Sequence, residues 1–379
     1  MALAKEKKKK SKIKRLLLVL VVLVLVVTAY ANRRNLSAGS IKDWFSEQSM
    51  GRQTGDGFPV TLSGNTVLSI DELNGDPMLL TDTAFLVYNS NGREIVNRQH
   101  GYSSAGMAGA RQYALIYDTD GTGYKLETKA RTLFQKELSQ KIITGDVSSG
   151  GVHALASRSK GYLGEVTVFD RKGEQLYKWY SADANIFAVA LNEKGDRLAV
   201  VTVNTDKGEV KSSLLVFDFS KKEPITQFTY PGTLILDAAY INKSTIGLVG
   251  DNKYITVAGP NKGNDTVYEY SGRYLTGYSL RPNTGTALLL SQYADKRSPS
   301  LIQINAKGTM AFQKDNTDQV RDVFLGEKFT FLLKDTRAIS YTAAGEEKNS
   351  IETADDSLCI AEVNGKLFVL GLSELRVGK

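Results

Sequence analysis

The chain of 379 residues contains one cysteine, two histidines and two tryptophans. The single cysteine, Cys359, excludes a disulfide within the chain, and its apolar neighbours predict a small buried hydrophobic residue. His100 and His153 are far apart in sequence and have no cysteine or histidine at ligand spacing, so we expect no structural zinc site. His153 precedes an apolar run and is interpreted as a core or channel residue.

The sequence also lacks the short motifs of common enzyme classes. There is no Gly-x-Ser-x-Gly motif, since 101–106 has the wrong spacing, and the glycine-rich stretch 145–151 lacks the lysine of a phosphate loop. Residues 118–123 resemble the start of a calcium loop, but Lys129 stands where a bidentate glutamate is required. A turn between two strands is favoured there, with a weak surface calcium site as the alternative. We therefore predict no catalytic residue, no metal site and no cofactor.

Positive charge is concentrated at the N-terminus. The whole chain has a formal net charge of +7, but residues 1–34 alone hold ten Lys/Arg residues and one acid, a net charge of +9, which leaves −2 for the rest. A body that is close to neutral has no electrostatic reason to bind a polyanion. We therefore expect no nucleic-acid partner.

The N-terminus has the pattern of a membrane anchor. A basic cytoplasmic tail, 1–15, precedes an apolar stretch, 16–31, which starts with twelve consecutive Leu/Val residues. Such a stretch is at the short end of what spans a bilayer, and the excess of Lys/Arg before it places the N-terminus in the cytoplasm. Ala29 and Ala31 also have the spacing of a signal-peptidase site, so a cleaved signal peptide is the alternative. Both interpretations predict that the body is extracellular.

Residues 32–56 are expected to form a tether between the anchor and the body. The segment 36–40 has the composition of a flexible linker. Ser40 and Asp43 are spaced almost as in a capping box, and the apolar residues that follow predict a short helix over 41–50. Its apolar face would dock on the body or lie at the membrane interface, and a partner-binding helix is the alternative.

From Phe58 onward the sequence is organised around a recurring turn. An apolar residue is followed by Asn, Asp or Thr, then by two free positions and Gly, and short apolar alternations flank the motif. It occurs at 89–92, 170–173, 305–308 and 342–345. Asn or Asp at the first position of a type I turn accepts backbone hydrogen bonds, and Gly at the fourth tolerates positive φ. The motif therefore predicts hairpins.

The spacing of these turns predicts the architecture. With weaker turns at 127–130, 218–221 and 260–263 included, the period is about 40 residues with four strands, which is the size of a propeller blade. The fourth repeat shows the strands best, at 186–191, 197–203, 214–218 and 225–230, with a polar loop at 204–211. Its first two strands are apolar throughout, as expected of strands covered on both faces by neighbouring blades.

Seven outer strands can be counted along the chain. The segments 357–362, 366–372 and 375–377 then remain for an eighth blade, and 58–62 would supply its outer strand, where Pro59 needs no N–H. The sequence thus predicts an all-β protein, an eight-bladed β-propeller over 57–379, preceded by one N-terminal transmembrane helix. A seven-bladed propeller is the alternative.

A lysine-rich start, one Leu/Val span, a short tether and about eight blades with Asp/Asn-x-x-Gly hairpins resemble a known group of proteins. These are the single-pass, membrane-anchored propellers of Gram-positive bacteria that have no assigned function, within the wider quinoprotein-like and WD40-like propellers. The resemblance implies a fold and a location, and no reaction. The Gly-His and Trp-Asp signatures of WD40 repeats and the Trp-rich motifs of quinone-dependent dehydrogenases are missing, which argues against a quinone cofactor.

The functional hypothesis is a non-catalytic binding or scaffold module that is tethered to the membrane and takes a protein or a cell-wall polymer as its partner. An extracellular hydrolase or lyase with its site in the propeller channel is the alternative. Propeller geometry places a binding face on the loops between the second and third strands and between blades. The three longest such loops, 157–164, 204–211 and 292–299, carry the candidate residues Arg158, Lys160, Asp206, Lys207, Asp295, Lys296 and Arg297.

Overall fold

A computed structural model of the chain describes residues 38–62, 64, 66–259, 264–294 and 297–378. Helix α1, Ala38–Gly51, covers the short helix that was expected over 41–50. The described part of the chain contains no helix with the length and apolar character that crossing a membrane requires. The basic tail 1–15 and the apolar stretch 16–31 lie outside the described residues.

Residues Gln53–Lys379 form a compact unit. Its described strands make eight antiparallel sheets of four strands, and each sheet is one blade. We call the strands of a blade A to D from the centre outward.

Strand β1 (Val60–Thr61) belongs to the last blade. Blades 1 to 4 are β2 (Val67–Leu73), β3 (Asp76–Thr81), β4 (Ala84–Tyr88) and β5 (Glu94–Gln99); β6 (Ala105–Ala110), β7 (Tyr113–Asp118), β8 (Gly123–Glu127) and β9 (Thr132–Glu137); β10 (Ile142–Val147), β11 (His153–Ser157), β12 (Gly164–Phe169) and β13 (Gln175–Ser181); β14 (Asn185–Leu191), β15 (Arg197–Asp206), β16 (Glu209–Asp218) and β17 (Thr226–Pro231). Blades 5 to 8 are β18 (Ile235–Tyr240), β19 (Thr245–Gly250), β20 (Lys253–Ala258) and β21 (Asn264–Glu269); β22 (Tyr274–Arg281), β23 (Gly285–Ser291), β24 (Ser300–Asn305) and β25 (Met310–Asp315); β26 (Asp322–Leu325), β27 (Thr330–Leu333), β28 (Arg337–Tyr341) and β29 (Glu347–Glu352); β30 (Cys359–Val363), β31 (Lys366–Leu370), β32 (Glu374–Val377) and β1.

The two ends of the propeller meet in one sheet. Strand β1 pairs with β32 in the register Val60 with Leu375 and Thr61 with Glu374. The Leu62 N–H extends this pairing by donating to the Ser373 carbonyl at 2.7 Å. The closure removes the open sheet edge that either end would otherwise present. It confirms the prediction of eight blades, with the outer strand of the last blade taken from the start of the body.

The hydrophobic core lies between blades. One cluster joins Val201 and Leu214 of blade 4 to Ile235 and Leu248 of blade 5, and comparable clusters occupy other seams of the ring. Inner strands such as β3 and β12 are buried along their whole length, whereas outer strand β17 alternates. Burial of each such Val or Leu side chain stabilises the fold by about 1.5–3 kcal/mol. A single blade buries little without its neighbours, so the ring is the stable unit.

The recurring turn has the geometry that the sequence predicts. Asn89 Oδ1 accepts the N–H groups of Asn91 and Arg93, both at 3.0 Å, and Gly92 has φ +74°. Asp170, Asn305 and Thr342 accept two N–H groups in the same way, and glycines 173, 308 and 345 have φ between +75° and +81°. These turns join strands C and D in blades 1, 3, 6 and 7.

The polar loop predicted at 204–211 in blade 4 is wrong. Strands β15 and β16 continue through this segment until Asp206 pairs with Glu209, which leaves a two-residue turn. The turn residues, Lys207 and Gly208, both have positive φ, +52° and +86°, as a type I′ hairpin requires. The segment is polar because the hairpin extends beyond the blade core, and that polarity conceals its strands.

Candidate functional site

The propeller has two chemically different ends. The B–C face carries the turns between strands B and C and the connections between blades. The A–B face carries the turns between A and B and between C and D. The candidate residues from the sequence lie on the B–C face, whereas the central cavity lies at the A–B face.

The structure distributes the candidate residues over three blades. Arg158 and Lys160 are exposed in the B–C loop of blade 3. Arg158 donates to Asp120 of blade 2 at 2.9 Å, in an ion pair whose side chains are both more than 60% exposed. Asp206 forms an ion pair with Lys211 at 3.6 Å beside the Lys207 turn of blade 4.

Blade 6 carries the remaining candidate residues. Arg297 is exposed in its B–C loop, and Asp295 and Lys296 lie outside the described residues. The candidates therefore share a face but are spread over blades 3, 4 and 6, rather than forming one constellation.

Large exposed apolar side chains are concentrated on the same face. Ten of them lie in its loops or at the adjoining strand ends: Leu68, Tyr162, Leu163, Tyr180, Phe187, Val210, Tyr274, Tyr293, Leu358 and Leu372. Among the described residues of the propeller, only Leu176 and Met310 occupy the opposite end in this way. Large apolar and aromatic side chains gathered on one face are typical of interaction surfaces.

The densest part of this surface lies at blades 3 and 4. Tyr162 and Tyr180 stack with ring centroids 4.8 Å apart, and both side chains are more than 40% exposed. The Lys178 ammonium lies 5.1 Å from the Tyr180 ring and forms an ion pair with Glu165 at 2.9 Å. Two stacked phenol rings beside a cation offer both apolar area and polar contacts to a partner.

The innermost strands enclose a central cavity of about 640 Å³ at the A–B face. All eight blades contribute to its wall. The charged residues of the wall are Asp71, Glu72, Asp146, Glu193, Asp237, Glu327 and Glu362, against Arg111 and Arg281. Seven carboxylates and two guanidinium groups give the wall a formal charge of −5.

Asp146 in this wall connects two blades. Its Oδ2 accepts the N–H of Leu191 in blade 4 at 2.7 Å, and its Oδ1 accepts the N–H of Val147 at 2.8 Å. Burial raises the pKa of Asp146 to about 6, against the opposing effect of these two N–H groups, and the charges of Asp237 and Asp71 raise it further.

Blades 5 and 7 repeat this arrangement. Asp237 accepts the Ala238 N–H at 2.8 Å and a hydrogen bond from the Tyr278 hydroxyl of blade 6. Asp322, which lies near the start of strand A in blade 7, accepts the N–H of Ile360 in blade 8 at 2.9 Å. Burial raises the pKa of both carboxyls to about 6. In blades 3, 5 and 7, an aspartate of strand A therefore binds the next blade.

The histidines have structural surroundings. His153 is fully buried, its ring stacks on Phe169 at 5.3 Å, and burial lowers its pKa to about 4. His100 Nε2 lies 3.0 Å from the Thr81 carbonyl oxygen. The part of the chain that the structure describes contains no group of three His, Cys, Asp or Glu side chains that could hold a metal ion.

Residues 118–123 form the B–C turn of blade 2 that the sequence favours. Strand β7 ends at Asp118 and β8 begins at Gly123, and Asp120 has φ +61°. The Asp118 carboxylate accepts the Ser104 N–H at 3.0 Å.

Sequence reasoning missed the acidic cavity and the stacked tyrosines. A signal for the cavity is present in the sequence, because Asp71, Asp146, Asp237 and Glu362 each interrupt an apolar inner strand. The tyrosine pair has no such signal, since Tyr162 and Tyr180 are 18 positions apart and come together only through the pairing of β12 with β13.

Known structures share the fold of this chain. Sqt1 from Saccharomyces cerevisiae matches with a TM-score of 0.56 at 11% identity, over 86% of this chain and 99% of that one. BamB from Moraxella catarrhalis matches with a TM-score of 0.55 at 10% identity, over 85% of this chain and 100% of that one. The quinohemoprotein alcohol dehydrogenase ADHIIG from Pseudomonas putida HK5 matches with a TM-score of 0.53 at 11% identity, over 83% and 75%.

These likenesses show the fold alone and support a quinoprotein-like propeller. No curated protein matches the chain. The profile of one protein family matches residues 61–376, which is almost the whole propeller. The chain therefore belongs to the family of unknown function DUF5711.

Proposed function

We propose that this protein is a membrane-tethered, extracellular propeller that binds a protein or cell-wall polymer through its B–C face and has no catalytic role. The concentration of exposed apolar side chains on that face carries the proposal. Burying such side chains is the main favourable contribution to most protein associations, and tyrosines are frequent hot-spot residues. The Lys-rich tail and the Leu/Val span support the location, as does the resemblance to anchored propellers of Gram-positive bacteria.

The binding role is tested by photo-crosslinking in intact cells. A photoreactive amino acid at Tyr162 or Tyr293 is expected to give a discrete crosslinked product. The same group at Val267, which is similarly exposed on the outer strand of blade 5, serves as the matched control. Exchanging Tyr162 and Tyr180 for serine should abolish capture by the Tyr293 probe. Crosslinks of equal yield at Val267 would contradict a specific face.

The charged residues of this face are tested separately. Reversal of Lys160, Lys207 and Arg297 together to glutamate is expected to abolish capture, since like charges across an interface oppose association. Unchanged capture would remove these loops from the site and leave the tyrosine pair as its core.

The location is tested by labelling with a membrane-impermeant maleimide. Cysteine at Lys160 should react in intact cells, whereas cysteine at Ser11 should react only after lysis. Cys359 gives little background because its thiol is largely buried. An N-terminal epitope retained at full length distinguishes an anchor over 16–31 from cleavage after Ala31.

The alternative is a hydrolase or lyase with its site in the channel. A specific observation favours testing it: Asp146 and Asp237 line the cavity and have pKa values near 6, which suits general acid–base chemistry. Both carboxylates already accept hydrogen bonds, as interblade contacts require. Tightly held metal in stoichiometric amount, measured on the purified chain, would favour the enzyme over the binding module.

A further inference from the structure

The acidic cavity at the A–B face is separate from the B–C face that the proposed function uses. We infer that this cavity is a binding site for an organic cation, namely an amine or guanidinium group of a small molecule or of a partner's Lys or Arg side chain. Its volume of about 640 Å³ is within the usual range of ligand sites. Its wall has a formal charge of −5 at neutral pH.

The protein seats one of its own guanidinium groups in this wall. Arg281 of blade 6 donates to Asp71 Oδ1 of blade 1 at 3.2 Å, and its guanidinium carbon lies 4.7 Å from the centroid of the Phe324 ring. An ion pair and a cation–π contact are two means by which proteins recognise such cations. The cavity therefore already contains the chemistry that holds a guanidinium.

One arginine leaves most of the negative charge unneutralised. Glu72, Glu327 and Glu362, from blades 1, 7 and 8, lie close enough for their charges to interact. Burial raises the pKa of Glu362, its neighbours Glu327 and Glu72 raise it further, and Arg281 opposes this effect. An added cation between these carboxylates would relieve their mutual repulsion.

A polar atom without a partner also belongs to this wall. Ser148 is 2% exposed, and its Oγ has no hydrogen-bond partner among the described residues. A buried hydroxyl without a partner is costly and calls for an explanation. An ammonium or guanidinium N–H in the cavity would supply the missing donor.

The ligand class follows from the spacing of the acids. As the described residues contain no three acidic or other ligating side chains that could share one metal ion, a compact divalent cation is a poor fit. A flexible cation that distributes several positive charges over the cavity length matches carboxylates spread over six blades.

The test is calorimetry on the full chain in detergent micelles at low ionic strength, with spermidine and a tetra-arginine peptide as probes. Both are expected to bind saturably, and rising salt should weaken binding. The variant Glu193→Gln with Glu327→Gln removes two exposed charges from the rim. It should weaken binding at least about tenfold, or about 1.4 kcal/mol.

A matched variant removes two charges elsewhere. Glu347→Gln with Glu352→Gln changes the outer strand of blade 7 and should leave the affinity within about twofold. Binding of spermidine alone identifies a small-molecule site, and binding of the peptide alone identifies a polypeptide site; both support the inference. Absence of saturable binding by either probe would overturn it, as would equal weakening in the two variants or displacement of the probe by equimolar Mg²⁺.

Discussion

A buried charge network at the seam of blades 1 and 2 provides a sharp test of the structure. Glu127 is fully buried and lies 2.7 Å from the Arg98 guanidinium and 3.5 Å from the Lys125 ammonium. The Thr132 hydroxyl donates to both of its oxygens at 2.9 and 3.0 Å. Glu127→Gln therefore removes the only carboxylate that these records place against the two cations, while the side-chain shape is retained.

The expected cost follows from the surroundings of the two cations. Breaking a buried ion pair on one side costs about 3–5 kcal/mol, because the remaining charge is left uncompensated. Arg98 keeps the carbonyls of Thr128 and Lys129, each at 2.7 Å, and is 22% exposed, which reduces the penalty. We expect Glu127→Gln to lower the free energy of unfolding by about 2–4 kcal/mol.

Urea unfolding followed by circular dichroism and by fluorescence measures this cost, and coincident curves justify a two-state treatment. The matched control is Glu269→Gln. Glu269 pairs with Lys253 at 3.0 Å, but its side chain is 59% exposed, so the loss should stay below about 1 kcal/mol.

A double variant locates the penalty. Adding Lys125→Met to Glu127→Gln removes one of the stranded cations, and it should recover at least about 1 kcal/mol relative to additive costs. Equal costs for Glu127→Gln and Glu269→Gln would refute the reasoning, because they would mean that the network is not buried as described.

Three further outcomes follow from single positions. Gly92→Ala should destabilise by about 1–3 kcal/mol more than Gly272→Ala in urea unfolding: both glycines have φ near +75°, but a Cβ at position 92 would collide with the Gly57 backbone, whereas position 272 has open space. The Cys359 thiol, whose pKa burial raises to about 12, should react with a disulfide reagent at pH 8 at least about 100-fold more slowly in the folded chain than in urea. The raised pKa of Asp146 means that its contribution to stability is fully present below the unfolded pKa of 3.8 and is lost as pH rises through about 6; Asp146→Asn should flatten the fall of the unfolding midpoint between pH 4 and 7, and an unchanged slope would assign the pH dependence to other groups.

The fold could be predicted because each blade repeats the same local chemistry. The Asn/Asp-x-x-Gly turns set the period, and apolar strands between them assign the inner positions. Even the closing strand at 60–61 was visible, since three strands at the C-terminus lacked a fourth. Polarity misled where strands extend beyond the core, as in the Lys207–Gly208 hairpin, because exposed strands and loops have similar composition.

The candidate sites could be predicted only in part. The B–C face follows from topology, so loops such as 158–163 could be named in advance. The charge network around Glu127 and the stacked tyrosines depend on cross-strand and interblade register, which a single sequence does not specify. The acidic residues of the inner strands were present in the sequence, but their convergence on one cavity requires the ring to be closed.

The point where the chain enters the propeller separates the roles of the two faces. Asn89 Nδ2 donates to the Gln53 carbonyl at 2.8 Å, and the Gly57 N–H donates to the Asn91 carbonyl at 2.9 Å. These contacts fix 53–57 against the C–D turn of blade 1, which belongs to the A–B face. The segment that leads from an upstream anchor therefore joins the propeller at the end that holds the acidic cavity. The apolar B–C face, at the other end of the ring, is left free of that attachment and open to a large partner.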